Sequence, residues 1–301
     1  METNCPFLNS EYLDYLKSFR FRPDEHVVVS YNKEEGDPHN PRGELNISIK
    51  GPWIDTILYE VPLLALTSEA YFRYVETDWD YDGQEKTAHE KGQALLDYGI
   101  AFSEFGTRRR RSYKAHDLVM KGLTRAAKDV KKGRFVGSSN VHFSMQYGVT
   151  PVGTVAHEWF MGTAASMDDF ANSTQRALDC WIGTFGDGVL GIALTDTFGT
   201  PAFLETFAKS MPNAGGKTYA QSFAGVRQDS GDPEEFIKLM RSFYDGNGIA
   251  QKTIIFSDSL NVEKSKKYHD KAKENGFYPS FGIGTFFTSK QSPFLTHISH
   301  N

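Results

Sequence analysis

Gly225-Val226-Arg227-Gln228-Asp229-Ser230-Gly231-Asp232-Pro233 is the stretch that decides the fold. Residues 222–226 ahead of it read as a short buried strand, and Pro233-Glu234-Glu235 after it opens a helix. Asp232 suits the cap of that helix, proline suits its first position, and the two acids complement its dipole. Phe236, Ile237, Met240, Phe243 and Tyr244 then share one apolar face. An arginine and two aspartates are thereby placed in a tight turn at the C-terminal end of a strand, the edge where ligands collect in parallel α/β folds. A capped turn with a surface ion pair is the structural alternative for one such turn taken alone.

The arrangement repeats along the chain. Strands are predicted at residues 101–105, 135–137, 151–155, 191–195, 223–226, 253–256 and 280–282, with helices near 113–127, 140–147, 167–185, 201–209, 233–244 and 262–275. Alternation of this kind implies a parallel sheet. Short β-branched strands at this spacing favour an irregular (β/α) barrel, with no eighth strand visible, over an open sheet. Residues 100–290 are assigned to this barrel, residues 1–99 to a partial N-terminal α+β domain, and 291–301 to a divergent tail. In the N-terminal part, residues 11–19 suggest a short helix and 34–43 a turn or loop, and 45–51 alternate as a half-buried strand. Residues 56–74 form a helix apolar nearly all round, which predicts burial, with Pro62 kinking or breaking it. A polar helix over about 82–98 leads to Gly99.

A chain of 301 residues, 39% hydrophobic and 24% charged, can bury a large core in one or two domains. Its formal charge of -5 argues against broad nucleic-acid binding. Two cysteines, Cys5 and Cys180, make no disulfide or metal framework, so a reducing compartment, cytoplasmic or also nuclear, is expected. No apolar run is long enough to cross a membrane, and the N-terminus has no signal-peptide pattern.

The residues after each predicted strand can be sorted by chemistry. Gly137-Ser138-Ser139-Asn140 and Gly282-Ile283-Gly284-Thr285 offer backbone N–H groups and hydroxyls that let a phosphate approach closely, or are ordinary turns. Thr107-Arg108-Arg109-Arg110-Arg111 supplies planar cations for carboxylate or phosphate, one or two of them facing the site and the others solvated. Asp196, Asp229, Asp232 and Asp258 suit Mg²⁺ or ribose hydroxyls, or cap helices, Asp232 first among them. His157, beside Glu158-Trp159, is a structural histidine or a nucleophile or base. Seven such turns on one edge describe a phosphate-rich site, with neither a Walker A loop nor a GxGxxG fingerprint.

Five segments carry a resemblance. They are Phe102-Ser103-Glu104-Phe105-Gly106-Thr107-Arg108-Arg109-Arg110, Thr154-Val155-Ala156-His157-Glu158-Trp159, Ala193-Leu194-Thr195-Asp196-Thr197-Phe198-Gly199-Thr200, Val226-Arg227-Gln228-Asp229-Ser230-Gly231-Asp232-Pro233 and Phe256-Ser257-Asp258-Ser259-Leu260-Asn261. In order and spacing they resemble the nicotinate phosphoribosyltransferase family in its fungal and bacterial form, from about residue 45 to Thr285. The resemblance implies an irregular α/β barrel beside a mixed α/β domain. It implies joining of nicotinate to phosphoribosyl pyrophosphate, giving nicotinate mononucleotide and pyrophosphate on a salvage route to NAD. Coupled ATP hydrolysis through a phosphohistidine, matched by His157, and a homodimer with shared active sites belong to the same expectation.

Within this resemblance, His157, Asp229 and Arg227 are the expected catalytic residues. Arg227 is expected to hold the nicotinate carboxylate, and Asp229 to meet the ring or the ribose. Thr107, Arg108, Ser139, Asp258, Gly282, Gly284 and Thr285 are expected to bind substrate. Asp196 is the candidate for Mg²⁺, which with cations would hold the departing pyrophosphate. The family's upstream Asp-x-Tyr-Lys segment and its closing segment are not recognised in this sequence, so the chain is expected to lack both ends. Its alternatives are a non-catalytic product that binds phosphate compounds or pairs with a full-length subunit, and the nicotinamide phosphoribosyltransferase variant of the chemistry.

Overall fold

The computed structural model describes residues 5–34, 42–130 and 132–288. The expected tail over 291–301 and most of the loop over 34–43 lie outside the described residues.

The parallel sheet is built from β3 (Ala101–Glu104), β4 (Arg134–Ser138), β5 (Ile192–Leu194), β6 (Gly225–Gln228), β7 (Thr253–Phe256) and β8 (Tyr278–Ile283), in the order β4-β3-β8-β7-β6-β5. β5 to β8 are neighbours in chain order, and β8 returns to pair with β3. This is the circular order of a barrel, left open between β4 and β5. The predicted strand over 151–155 is reduced to one bridge, Ser138 to Pro151. Pro151 has no N–H to donate and Gly153 weakens a strand, so the ladder stops there.

Cross-strand register puts Phe102, Phe281 and Phe256 in one row. Their rings pack on Phe135, Phe287 and Tyr268, so this row faces the helices. The alternate row, with Ser103, Gly282, Ile255 and Arg227, faces the barrel interior. Period-two alternation therefore sends Arg227 inward, between two core residues, Val226 and Gln228.

Ten helices of seven or more residues surround this sheet: α1 (Ser10–Ser18), α2 (Glu60–Tyr74), α3 (Gln84–Tyr98), α4 (Tyr113–Ala126), α5 (Val141–Tyr147), α6 (His157–Met167), α7 (Phe170–Phe185), α8 (Thr200–Phe207), α9 (Pro233–Gly246) and α10 (Val262–Glu274), counted among the described residues. The helix predicted to begin at 167 is α7, parted from α6 by Asp168, which takes a left-handed φ of 51°. At α9 the cap forms as predicted: Asp232 Oδ1 accepts the N–H groups of Glu234 and Glu235 at 2.8 and 2.9 Å. Asp232→Ala is expected to lower stability by about 1 kcal/mol, read from the denaturant midpoint.

The N-terminal part departs further from expectation. The strand at 45–51 is β2 (Gly43–Ile49), paired antiparallel with β1 (Val27–Lys33), a strand outside those predicted. Apart from the first residue of each, both strands are exposed along their length, so β2 is not half-buried. The helix predicted to be buried is also largely open. Only Tyr59, Ala65 and Ser68 are fully buried; Leu58, Leu63 and Leu64 are half-buried, and Leu66 is 63% exposed. One stripe of α2 meets the turn after β3, and a helix apolar on all sides cannot hide its remaining faces there. Pro62 does not kink α2: it lies in its first turn, where an N–H would have no intrahelical partner.

Candidate active site

The site edge is built outward from the turn after β6. Gln228 is buried on the helix side, and its Nε2 donates to the carbonyls of Ser230 and Gly231 at 2.7 and 3.1 Å. Gly231 takes a φ of 75°, which a side chain would oppose. This brace holds Asp229 back over the barrel mouth, where Arg227 meets it.

The Arg227 guanidinium is engaged on three sides. Its Nε donates to Ser257 Oγ at 2.8 Å, one terminal nitrogen to Thr154 Oγ1 at 2.9 Å, and the other lies 2.8 Å from Asp229 Oδ2. Ser257 Oγ in turn donates to Asp229 Oδ1 at 2.5 Å. The Arg227 and Asp229 side chains are 14% and 17% exposed, so the pair is largely withdrawn from water. Thr154 thus belongs to the site although its segment is not a strand.

His157 opens α6, rather than following a strand as the sequence suggested. Its Nε2 is 3.1 Å from Asp196 Oδ1, and its Nδ1 is 3.8 Å from Asp229 Oδ2. An ionised carboxylate only accepts, so the Asp196 contact assigns the hydrogen to Nε2. The imidazole remains 40% exposed. No side chain caps α6, which leaves its first N–H groups and the positive end of its dipole beside the ring. α6 is braced from the N-terminal part by Trp53, which donates Nε1–H to Glu158 Oε1 at 2.7 Å and stacks on Trp159.

Asp196, two residues beyond β5, also accepts Ser230 Oγ–H at 2.6 Å. Burial acts to raise its pKa, but the hydrogen bonds from His157 and Ser230 prevail and hold the carboxyl below its ordinary range. A depressed folded value means a stability contribution that is complete above the unfolded pKa of about 3.9 and is lost as pH falls through the folded value. The melting temperature of Asp196→Asn is therefore expected to fall less than that of the parent chain between about pH 5 and pH 3. Both oxygens of Asp196 are committed, and no group of three or more His, Cys, Asp or Glu side chains suited to a metal occurs among the described residues. A Mg²⁺ at Asp196 would take most of its ligands from water and substrate phosphates.

The four arginines go to different partners. Arg108, expected to bind substrate, pairs with Glu60 of α2 at 3.2 Å. The Arg110 carbonyl accepts Ser68 Oγ–H at 2.8 Å, and its guanidinium lies over Tyr113. Arg111 lies over Phe72 and Trp79. These three hold the N-terminal helix and its neighbours against the barrel. Arg109 is half-buried, within electrostatic reach of Asp258 and Asp229. Burial and the Arg108 charge pull its guanidinium below the ordinary arginine value, while the charges of Asp258 and Asp229 oppose this.

The other expected ligands line the same edge. Thr107 Oγ1 accepts from Asn140 Nδ2 at 3.2 Å, and Ser139 is exposed. Asp258 is exposed and accepts Ser259 Oγ–H at 2.8 Å. Gly282 lies under the Phe105 ring at the end of β8, and Gly284-Thr285 leads into a four-residue helix. Thr154, Ser230, Ser257 and Arg109 were not singled out from sequence. All four stand within the five resembling segments, or one residue from a residue singled out there, and only the fold aims them.

The model of the Nicotinate phosphoribosyltransferase (NAPRTase) family matches residues 100–298, and the model of its N-terminal domain matches residues 1–68. The chain belongs to the nicotinate phosphoribosyltransferase family. The likeness thus begins well before residue 45, where the sequence motifs place it. The nicotinate phosphoribosyltransferase of Saccharomyces cerevisiae is 47% identical over 290 residues, covering 94% of this chain and 65% of that protein. That of Methanosarcina mazei is 40% identical, covering 96% of this chain and 70% of the relative. A crystal structure from Saccharomyces cerevisiae superposes with a TM-score of 0.88 at 46% identity, covering 95% of this chain and 68% of that one. The chain therefore spans about two thirds of the length of the curated relatives it matches. No described helix is long and apolar enough to cross a membrane.

Proposed function

We propose that this chain acts as a nicotinate phosphoribosyltransferase, forming nicotinate mononucleotide and pyrophosphate from nicotinate and phosphoribosyl pyrophosphate, with ATP hydrolysis coupled through His157. The observation that carries the proposal is His157 held between Asp196 and the Arg227–Asp229 pair, at the barrel edge of a chain in this family.

In the coupled step, Nδ1 of His157 has the lone pair, because Nε2–H is committed to Asp196. Nδ1 attacks the γ-phosphorus of ATP, the bond to the bridging oxygen breaks, and ADP leaves. Asp196 balances the positive charge that develops on the ring, and the uncapped start of α6 favours the phosphoryl anion. Water later hydrolyses the phosphohistidine. In the transfer step the ring nitrogen of nicotinate bonds to the ribose C1 as the C1–O bond to pyrophosphate breaks. Arg227 is oriented for the nicotinate carboxylate, and Asp229 for the ring or the ribose. Arg109 is the cation best situated for the departing pyrophosphate, in place of Arg108. Thr107, Ser139, Asp258 and the Gly282–Thr285 turn serve the anionic groups of the ribosyl substrate. A reducing cytosol suits the two free thiols, Cys5 and Cys180. A homodimer with shared sites is part of the same proposal, checked by sedimentation velocity.

The deciding experiment incubates the chain with nicotinate and phosphoribosyl pyrophosphate, with and without ATP, and measures nicotinate mononucleotide. ATP-stimulated product from nicotinate but not from nicotinamide is expected. Binding of phosphoribosyl pyrophosphate without any product would favour the non-catalytic alternative, and product from nicotinamide alone would overturn the assigned substrate.

A further inference from the structure

Beneath the site edge lies a carboxylate that the proposed reaction never touches. Glu104 ends β3 and is fully buried, as are its neighbours Ser138 and His116. Its Oε1 accepts the N–H of Gly106. Its Oε2 accepts Ser138 Oγ–H at 2.6 Å and lies 2.9 Å from His116 Nε2 on α4. Its main-chain oxygen accepts the Ser139 N–H at 2.9 Å. Ser138 Oγ accepts the Asn140 N–H at 3.0 Å, and Asn140 Nδ2 reaches Thr107, so the contacts close into a ring. The turn after β8 abuts the same point, since a Cβ on Gly106 would fall 2.8 Å from Glu104 Oε1 and 3.3 Å from the Gly284 oxygen.

A buried anion under a site for anions works against ligand charge, so its value must lie elsewhere. Burial acts to raise the Glu104 pKa, and the His116 ring, the Ser138 hydroxyl and the Gly106 N–H overcome it, holding the group below its ordinary range. An ionised carboxylate offers acceptors on both oxygens and no donor. One side chain can therefore take a donor from each of two turns at once. An amide of the same shape turns one acceptor into a donor, and a buried group left unmatched in this way costs about 1–3 kcal/mol.

We infer that Glu104 is a positioning residue, tying the turns at Gly106–Arg109 and Ser138–Asn140 into one preformed cradle for the anionic groups of phosphoribosyl pyrophosphate. The inference rests on the transferase reading for its ligand, and on the hydrogen-bond ring alone for its mechanics. Order built in beforehand is order that binding need not impose, so the tie acts on affinity for this substrate. Ser138 holds one turn only, through Asn140, whereas Glu104 holds both.

Glu104→Gln and Ser138→Ala in the full chain separate these effects. Amide hydrogen exchange of peptides spanning 105–111 and 137–141 reads the tie without any reaction. In Glu104→Gln both peptides are expected to exchange about tenfold faster, and in Ser138→Ala the second alone. In steady state, Glu104→Gln is expected to raise the KM for phosphoribosyl pyrophosphate about tenfold, with the nicotinate KM and His157 labelling unchanged. Unchanged exchange in both turns of a folded Glu104→Gln chain overturns the inference, as does an equal rise of the two KM values. Should Glu104→Gln fail to fold, Ser138→Ala decides: loosening confined to 137–141 supports the tie, and none overturns it. A parent chain that makes no nicotinate mononucleotide defeats the transferase reading, while the exchange result still decides for or against Glu104.

Discussion

His157→Asn is expected to abolish transfer of the γ-phosphate of ATP to the protein, and with it the stimulation of nicotinate mononucleotide formation by ATP. Asparagine fills part of the imidazole volume but has no lone-pair nitrogen to accept a phosphoryl group. The stability cost should be small, because the ring is 40% exposed and its contacts are polar. The loss is therefore separable from unfolding, and ATP-independent turnover should persist. Asp196→Asn tests the same geometry at one remove. It removes the charge that fixes the hydrogen on Nε2 and balances the developing imidazolium, so labelling is expected to slow by roughly 10²-fold. Radiolabelled ATP, alkaline quenching to preserve the phosphohistidine, and peptide mapping provide the measurement. Label retained in His157→Asn, or mapped to another residue, removes His157 from the mechanism.

Legibility from sequence followed the locality of the signal. The turn at 228–233 was readable because its chemistry is written in adjacent residues, with Asp232 as cap, Pro233 behind it and acids in the first turn of α9. β1 does not show the period-two alternation of a half-buried strand, because both its faces are exposed, and only its pairing with β2 defines it. The start of α6 was missed because residues 157–167 show no polar face to mark a helix, so His157 was assigned to follow a strand. The arginine run shows the same limit at the site. Four like residues give one chemistry, but a short 3₁₀ turn over Thr107–Arg109 splays successive side chains apart, and α2 captures those on one side. Sequence could specify cations there, and only tertiary contacts decided that Arg108 pairs with Glu60 while Arg109 comes under the charges of Asp258 and Asp229.

Arg227→Lys is expected to raise the KM for nicotinate about 10- to 150-fold, an effect of about 1.5–3 kcal/mol, while the KM for phosphoribosyl pyrophosphate moves by no more than roughly threefold. The guanidinium reaches Ser257, Thr154 and Asp229 in three fixed directions at 2.8, 2.9 and 2.8 Å. An ammonium is a single point charge and cannot hold all three while presenting a planar edge to a carboxylate. In the structure Asp229 and Ser257 occupy that edge, so nicotinate must compete with Asp229 for it. Asp229→Asn discriminates this account from simple loss of a binding charge. It weakens the internal competitor, and nicotinate should bind at least as tightly as before. Turnover should nonetheless fall steeply, by on the order of 10²-fold, because Asp229 no longer aligns Arg227 or faces the reacting ring. Steady-state kinetics with each substrate varied in turn, beside thermal melts to separate unfolding, measure both variants. Equal losses for the two substrates in Arg227→Lys would show that Arg227 organises the barrel mouth and does not grip nicotinate. A raised nicotinate KM in Asp229→Asn would show that the acid assists the arginine and does not compete for it.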